Sequence, residues 1–236
     1  MNCTCKKYRA VITLVFMMVV AGSCAIPTKM QVKMQRKRTI LGLGDSITEG
    51  GADFYSYLFP LDSLLKQRGY AMEFTGPRLS VQGGDSIRHA GFSGKTAEFI
   101  AKSIDSIYSA FPADIVLLHA GHNHFAEESP IAGIVQAQRK IIETIKRKNK
   151  NAIILVAAVI TSGKLPKYTY IPALDSAIRD MTGAFHDRSI VFVDQQAHWN
   201  WELHTIQDKV HPNREGALVI ASNWLNAIQT SLSKQH

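Results

Sequence analysis

The chain has 236 residues, of which 46% are hydrophobic, a length and composition typical of a single domain with a large core. The net charge of +8 arises in residues 1–38, which hold eight of the 27 basic residues and no acidic residue. The rest of the chain therefore balances 19 basic against 19 acidic residues. This balance excludes a general affinity for polyanions, so no nucleic-acid partner is expected.

The first 26 residues have the layout of an export signal. Basic residues precede an apolar run over residues 10–20, and small residues follow it. The run is shorter than the ~20 residues of a membrane span. Two processing routes are open: residues 21–24 resemble a bacterial lipobox, which would lipidate Cys24, and residues 23–25 resemble an ordinary signal-peptidase site. We prefer the lipobox, and both routes predict export, as a periplasmic or cell-envelope lipoprotein or as a secreted protein. The alternative is that the segment stays uncleaved as a membrane anchor.

Residues 27–38 are predicted to form a basic tether, and residues 39–236 the folded domain. Apolar strand-like segments alternate with helical segments in this domain, which is typical of a parallel α/β sheet. The predicted strands are 39–43, 70–75, 114–119, 151–160 and 190–194. The predicted helices are 53–68, 96–110 with Thr96 as N-cap, 131–148, 173–185 and 215–232. Residues 76–94 are predicted to be a glycine-rich loop.

The first predicted strand ends in Gly44-Asp45-Ser46. A serine hydroxyl becomes a nucleophile when a base removes its proton, and a turn after a strand can project that hydroxyl into a cleft. The alternative is that Ser46 only caps a helix. A dinucleotide site is rejected because Ile47 stands where the motif requires its third glycine.

Asp208 and His211 lie three residues apart in one short segment near the end of the chain. The carboxylate can accept a hydrogen bond from one ring nitrogen and fix the tautomer, which leaves the other nitrogen free to face a serine. Because such pairs are common in proteins, a purely structural role is the alternative.

Acyl transfer also needs donors where the oxyanion develops, and the loss of one donor costs about 2.7–4 kcal/mol of barrier. Gly94 could offer a backbone N–H at the start of a helix. Asn123 could offer a side-chain amide just beyond a predicted strand. Taken singly, each is equally consistent with a turn residue.

Together, these segments resemble four sequence blocks of the SGNH (GDSL-like) hydrolase superfamily. The blocks are 44–50, 93–96, 121–123 and 208–213. The resemblance implies an α/β fold, a three-layer α/β/α flavodoxin-like sandwich with a central parallel sheet of about five strands. It implies a catalytic triad of Ser46, Asp208 and His211, and an oxyanion hole formed by the Ser46 and Gly94 N–H groups with the Asn123 side chain. Neither a metal nor an organic cofactor is expected.

Within the superfamily, residues 89–94 and 114–119 are similar to carbohydrate esterase family 3, the acetyl xylan esterases. This similarity implies that the substrate partner is an acylated carbohydrate, with an O-acetyl ester as the bond hydrolysed. One departure is visible, because the superfamily usually has aspartate after the third-block asparagine and this chain has His124. That aspartate commonly supports the loop, so no triad member is lost.

Five further side chains are candidates for substrate binding. His89, His122 and His124 are predicted to line the acyl or sugar pocket, and Trp199 and Trp201 either stack on a sugar ring or pack as part of a lid. His119, His122 and His124 also present a zinc alternative, since three histidines fall within six residues. The alternatives to a carbohydrate esterase are a lipid-directed esterase, lysophospholipase or thioesterase on the same scaffold, and a non-catalytic glycan-binding protein.

Overall fold

The structure, a computed structural model, describes Met1 and residues 37–234. The leader predicted over residues 1–26 and all but the last two residues of the predicted tether lie outside the described residues. Within the described part of the chain, no helix combines the length and the apolar character needed to cross a bilayer.

A seven-stranded sheet forms the centre of the described residues. Its strands are β1 (Arg38–Gly44), β2 (Met72–Thr75), β3 (Arg78–Gln82), β4 (Asp85–Gly91), β5 (Ile115–His119), β6 (Ile153–Ala157) and β7 (Ile190–Val193). Six strands run parallel: five follow the order β2-β1-β5-β6-β7, and β4 pairs with the carboxyl end of β1 on the side of β2. This is the order of flavodoxin-like sheets, which bind ligands beyond the carboxyl ends of their strands.

Helices cover both faces of the sheet. They are α1 (Ser46–Glu49), α2 (Leu58–Gln67), α3 (Ala97–Ala110), α4 (Ile131–Lys148), α5 (Ile171–Gly183), α6 (Trp201–His204) and α7 (Arg214–Ser233). Val116 and Leu118 of β5 join the core under α3, α4 and α5, whereas Ile115 and Leu117 join the core under α2 and α7. A strand buried on both faces is what a parallel sheet between two helical layers requires. The predicted three-layer α/β fold is confirmed.

The prediction of a loop over residues 76–94 is wrong, because these residues contain the antiparallel hairpin of β3 and β4. Gly83 and Gly84 form its turn with φ of +61° and +89°, the left-handed backbone that tight hairpin turns need. Leu79 and Val81 are more than half exposed, so the alternation along β3 buries no apolar face and does not mark a strand. The hairpin accounts for the two strands beyond the predicted five.

Capping side chains fix the starts of three helices that belong to the motif blocks. Asp45 accepts from the Ile47 N–H at the start of α1, and Asn213 accepts from the Gly216 N–H at the start of α7. Thr96 accepts from the N–H of the third α3 residue, which confirms it as the N-cap. Each bond satisfies a backbone donor that a helix end would otherwise leave unpaired. The blocks therefore determine local structure as well as chemistry.

Candidate active site

The carboxyl end of β1 brings the first three motif blocks together. Gly44 is in register with Gly91 of β4 on one side and with His119 of β5 on the other. A Cβ at Gly44 would lie 2.2 Å from the His119 carbonyl oxygen, so only glycine allows this approach of strands. Ser46, Gly94 and Asn123 follow the three aligned strand ends by two to four residues. The predicted nucleophile and both predicted oxyanion donors therefore share one edge of the sheet.

The fourth block completes a hydrogen-bonded chain at Ser46. The Ser46 Oγ lies 2.9 Å from His211 Nε2, and His211 Nδ1 lies 2.5 Å from Asp208 Oδ2. The ring of Phe54 stacks on the imidazole with centroids 4.0 Å apart. The two residues predicted from the Asp-x-x-His spacing thus meet the serine predicted 165 positions earlier in the chain. This is the geometry in which a histidine can take the serine proton while a carboxylate orients its ring.

Backbone hydrogen bonds hold Asp208 in its charged form. Its Oδ1 accepts from the N–H groups of Val210 and His211 at 2.9 and 3.0 Å. Partial burial acts to raise the pKa of Asp208, but the bonds from the His211 side chain and from these two N–H groups outweigh it and lower the pKa below its usual value. Asp208 is therefore an ionised acceptor for His211 Nδ1 at neutral pH.

The loops that carry the predicted oxyanion donors are joined to each other and to β1. The Asn123 side-chain amide donates to the Lys95 carbonyl at 3.0 Å, and the Phe92 N–H donates to the Gly44 carbonyl at 2.9 Å. Gly94 is exposed and has φ +71°, and Asn123 has φ +69°. Both positions need residues that tolerate left-handed backbone, which glycine and asparagine do. These bonds fix the two loops around the segment that bears Ser46.

The structure does not place His89 or His122 where a substrate could reach them. His89 has no exposed surface; its Nδ1 accepts from the Gly91 N–H at 2.9 Å and its Nε2 lies 2.8 Å from Ser80 Oγ. His122 is 2% exposed, and its Nε2 lies 3.1 Å from the Ile160 carbonyl. Burial lowers the pKa of His89 to about 4 and that of His122 well below its usual value. His89 and His122 therefore lie in the interior, and we withdraw the prediction that they contact substrate.

His124 lies between two carboxylates. Its Nδ1 is 2.9 Å from Glu128 Oε2, and its Nε2 is 3.0 Å from Glu98 Oε2 in the first turn of α3. Its side chain is 16% exposed, and both ring nitrogens are engaged within the protein. His124 therefore braces the loop after β5 instead of offering a nitrogen to a substrate. This placement also separates it from the zinc set proposed with His119 and His122.

The two tryptophans have different surroundings. Trp199 is half-buried, packs against the core under α2 and α7, and donates from Nε1 to the Thr161 carbonyl at 2.9 Å. The Trp201 ring lies directly on the backbone of Gly163, with Lys209 Nζ 5.9 Å from the ring centroid. Trp199 therefore has the packing role. Trp201, also half-buried, stands next to the loop that carries Asp208 and His211.

Sequence reasoning missed the contacts that hold the second block. Glu49 forms an ion pair with Arg78 of the hairpin and also accepts from the Ser93 N–H at 2.6 Å. Ser80 donates to the Glu49 carbonyl at 2.7 Å. Glu49 belongs to the first motif block, but two of its partners, Arg78 and Ser80, lie on a hairpin that the sequence did not reveal. Without that hairpin, no pattern in the sequence pairs these residues.

Solved structures of known proteins share this fold. A family 3 carbohydrate esterase from Clostridium thermocellum has a TM-score of 0.73 at 23% identity, covering 84% of this chain and 98% of that chain. A family 3 carbohydrate esterase from Talaromyces cellulolyticus has a TM-score of 0.72 at 21% identity, covering 83% and 99%. A lipase/acylhydrolase from Enterococcus faecalis has a TM-score of 0.66 at 16% identity, covering 82% and 96%. No curated protein sequence is significantly similar to the chain.

A parallel α/β/α sandwich with a Ser–His–Asp chain at its strand ends has the arrangement of a serine hydrolase. The chain belongs to the GDSL-like lipase/acylhydrolase family, whose sequence profile matches residues 43–219. It is therefore a hydrolase that acts on esters, and the predicted resemblance to this superfamily is confirmed.

Proposed function

We propose that the chain is a serine esterase that removes O-acetyl groups from a carbohydrate through an acyl-enzyme intermediate. The observation that carries the chemistry is the chain from Ser46 Oγ through His211 to Asp208, with separations of 2.9 and 2.5 Å. Hydrogen-bonding distance between a hydroxyl and an imidazole is the first requirement for general-base activation of serine.

In the first step, His211 Nε2 removes the Ser46 proton as Ser46 Oγ attacks the ester carbonyl. Asp208 accepts from Nδ1, holds the tautomer, and stabilises the imidazolium that forms. The N–H groups of Ser46 and Gly94 and the Asn123 amide stabilise the oxyanion. The bond from the acyl carbon to the sugar oxygen then breaks, and His211 gives its proton to that oxygen, which leaves as a hydroxyl. In the second step, a water that gives its proton to His211 attacks the acyl-enzyme. The acyl bond to Ser46 Oγ breaks, His211 returns the proton to that oxygen, and acetic acid leaves and ionises to acetate.

The assignment of a carbohydrate substrate rests on similar structures, on one aromatic side chain and on the predicted export signal. Two family 3 carbohydrate esterases share the fold at TM-scores of 0.73 and 0.72. Trp201, half-buried beside the loop of the proposed base, offers an aromatic surface of the type that packs against sugar rings. The predicted export signal would bring the enzyme to polysaccharides outside the cytoplasm.

A lipid-directed esterase is the second candidate, supported by the similarity in fold to the Enterococcus faecalis lipase/acylhydrolase. The acyl group separates the two, because an acetyl-sugar esterase needs room for two carbons and a lipase needs an apolar groove. Rates on nitrophenyl acetate, butyrate and octanoate measure this preference. A higher kcat/KM on octanoate than on acetate would refute the acetyl assignment and leave the serine mechanism intact.

The decisive experiment measures acetate released from acetylated xylan, acetylated pectin and O-acetylated sialic-acid glycans. We expect wild-type protein to release acetate from at least one of them and Ser46→Ala to be slower by at least about 10³-fold. Ser106→Ala removes an exposed hydroxyl on α3 and serves as the matched control, with wild-type activity expected. Equal activity of Ser46→Ala and wild type would refute the mechanism, and glycan binding without acetate release would favour a non-catalytic protein.

A further inference from the structure

A cluster of three buried side chains lies directly behind the proposed nucleophile and has no part in the mechanism above. Asp45 precedes Ser46, His119 ends β5, and His122 follows in the next loop. Their exposed fractions are 0%, 0% and 2%. One carboxylate oxygen of Asp45 and one ring nitrogen of each histidine all lie within 4.8 Å of one another.

The hydrogen-bond chemistry of this cluster is incomplete. A carbonyl oxygen only accepts, so His122 Nε2, 3.1 Å from the Ile160 carbonyl, carries a hydrogen. In the neutral ring, Nδ1 then carries a lone pair and no hydrogen. It faces Asp45 Oδ2 at 3.8 Å, which is too far for a direct hydrogen bond. Among the described residues, neither atom has a hydrogen-bond partner, and neither ring nitrogen of His119 has one. His122 Nδ1 and Asp45 Oδ2 are therefore two buried acceptors that face each other without a donor between them, an arrangement that a bound cation would satisfy.

We propose that Asp45, His119 and His122 bind one divalent transition-metal ion, with Zn²⁺ as the ion that fits best. Two imidazole nitrogens and one carboxylate oxygen are ligands that zinc uses, at about 2.0–2.2 Å. Three atoms no more than 4.8 Å apart can all lie within about 2.8 Å of a central point. Shifts of less than about 1 Å would therefore bring the three atoms to bonding distance.

The contacts around the cluster are those that orient metal ligands. His122 directs its other nitrogen to the Ile160 carbonyl at 3.1 Å, and Asp45 Oδ1 accepts from the Ile47 N–H at 3.0 Å. Such outer contacts fix the tautomer and direction of a ligating side chain. This ligand set differs from the zinc alternative drawn from sequence, because Asp45 takes the place of His124, which is held by Glu98 and Glu128.

The ion has a structural role. It joins the end of β1, the end of β5 and the following loop, and it neutralises a buried carboxylate adjacent to the nucleophile. Zinc with three protein ligands takes a water as its fourth ligand, and burial of Asp45, His119 and His122 separates that water from the substrate. Metal binding stabilises a fold in proportion to the logarithm of ion concentration over Kd.

The test uses the tag-free full-length chain, unfolded and refolded with chelator or with stoichiometric ZnCl₂, with bound zinc measured by elemental analysis. We expect one zinc per chain after refolding with ZnCl₂ and a melting temperature at least about 5 °C above that of the chelated sample. His119→Gln and Asp45→Asn should each lose this zinc and the temperature shift. His89→Gln changes a buried histidine outside the cluster and should keep both.

The proposal would be overturned if wild type refolded with ZnCl₂ contained no zinc and melted at the same temperature as the chelated sample. A water or a proton would then satisfy the polar atoms of the cluster. Zinc retained at one per chain in both His119→Gln and Asp45→Asn would also overturn it, because the ion would lie elsewhere. If the variants do not fold, Co²⁺ added to refolded wild type decides: tetrahedral visible bands support the site and their absence refutes it. Ser46→Ala should bind zinc normally, so failure of the esterase proposal and failure of the metal proposal are distinguishable.

Discussion

Replacement of Asp208 by asparagine changes the proposed triad at one atom. Asparagine keeps an oxygen where Asp208 Oδ1 accepts from the Val210 and His211 N–H groups, so the loop should hold its shape. At the Oδ2 position, however, it presents an amide nitrogen that only donates. His211 Nδ1 must then act as acceptor, and the ring hydrogen moves to Nε2, the nitrogen that lies 2.9 Å from Ser46 Oγ. The base would lose the lone pair with which it takes the serine proton.

The exposure of the pair sets the size of the effect. In a buried triad this inversion of the tautomer costs roughly 10⁴-fold in kcat. Here the side chains of His211 and Asp208 are 24% and 36% exposed, so water competes for both and weakens the constraint. We therefore expect kcat/KM to fall by about 10³-fold, or about 4 kcal/mol of transition-state stabilisation, with KM changed by less than about 3-fold.

The assay is steady-state acetate release from an acetylated sugar, with thermal unfolding recorded on the same preparations. Asp180→Asn makes the same chemical change at an exposed position of α5 and should retain wild-type kinetics. A folded Asp208→Asn that keeps more than about a tenth of wild-type kcat/KM would refute the claim that this carboxylate sets the tautomer of His211.

Variants at three further residues test other contacts of the structure. Asn123→Gly and Asn123→Ala both remove the amide and should each lower kcat by roughly 10²–10³-fold. If kcat falls only in the alanine variant, the cause is backbone strain at the φ of +69°, which glycine tolerates, and the amide has no role in catalysis. Burial lowers the pKa of His89 to about 4, so the unfolded state binds a proton first and stability falls as pH drops from about 6.5 to 4. In urea unfolding, His89→Gln should remove up to about 3 kcal/mol of this pH dependence of the unfolding free energy. If the variant shows the same dependence on pH as wild type, His89 is not its source. His124→Asp should lower the melting temperature, because a carboxylate would replace the donor facing Glu98 and Glu128, and adding Glu98→Gln with Glu128→Gln should restore it.

Sequence patterns predicted the parts of the molecule whose structure depends on residues close together in the chain. The parallel strands are short apolar runs, and residues such as Ile115 and Val116 are buried on opposite faces, which a continuous apolar segment predicts. Asp208 and His211 are three residues apart, so their contact needs only one turn of chain. The convergence of Ser46 on this pair follows from the shared edge of a parallel sheet and was predicted from the resemblance in four blocks.

The sequence did not reveal features that depend on register between distant segments. His89 resembled a pocket residue because its partner, Ser80, lies on a strand that was predicted as loop. The approach of Asp45 to His122 depends on the pairing of β1 with β5 and on the path of the loop that follows. Neither contact produces a periodic pattern, and both required the sheet before they could be recognised.

At position 124 the loop after β5 is held by a histidine between carboxylates, whereas the family usually places the carboxylate at this position itself. Where the family usually has an aspartate, this chain has an imidazole, and Glu98 and Glu128 supply the carboxylates from neighbouring segments. The hydrogen bond from His124 lowers the pKa of Glu128, and Glu98 lies in the first turn of α3, where negative charge is favourable. Together with the bond from the Asn123 amide to the Lys95 carbonyl, these contacts tie the loop after β5 to the start of α3. The position of Asn123 therefore depends on charges contributed by two other segments, and the family-typical residue at 124 would be repelled by both.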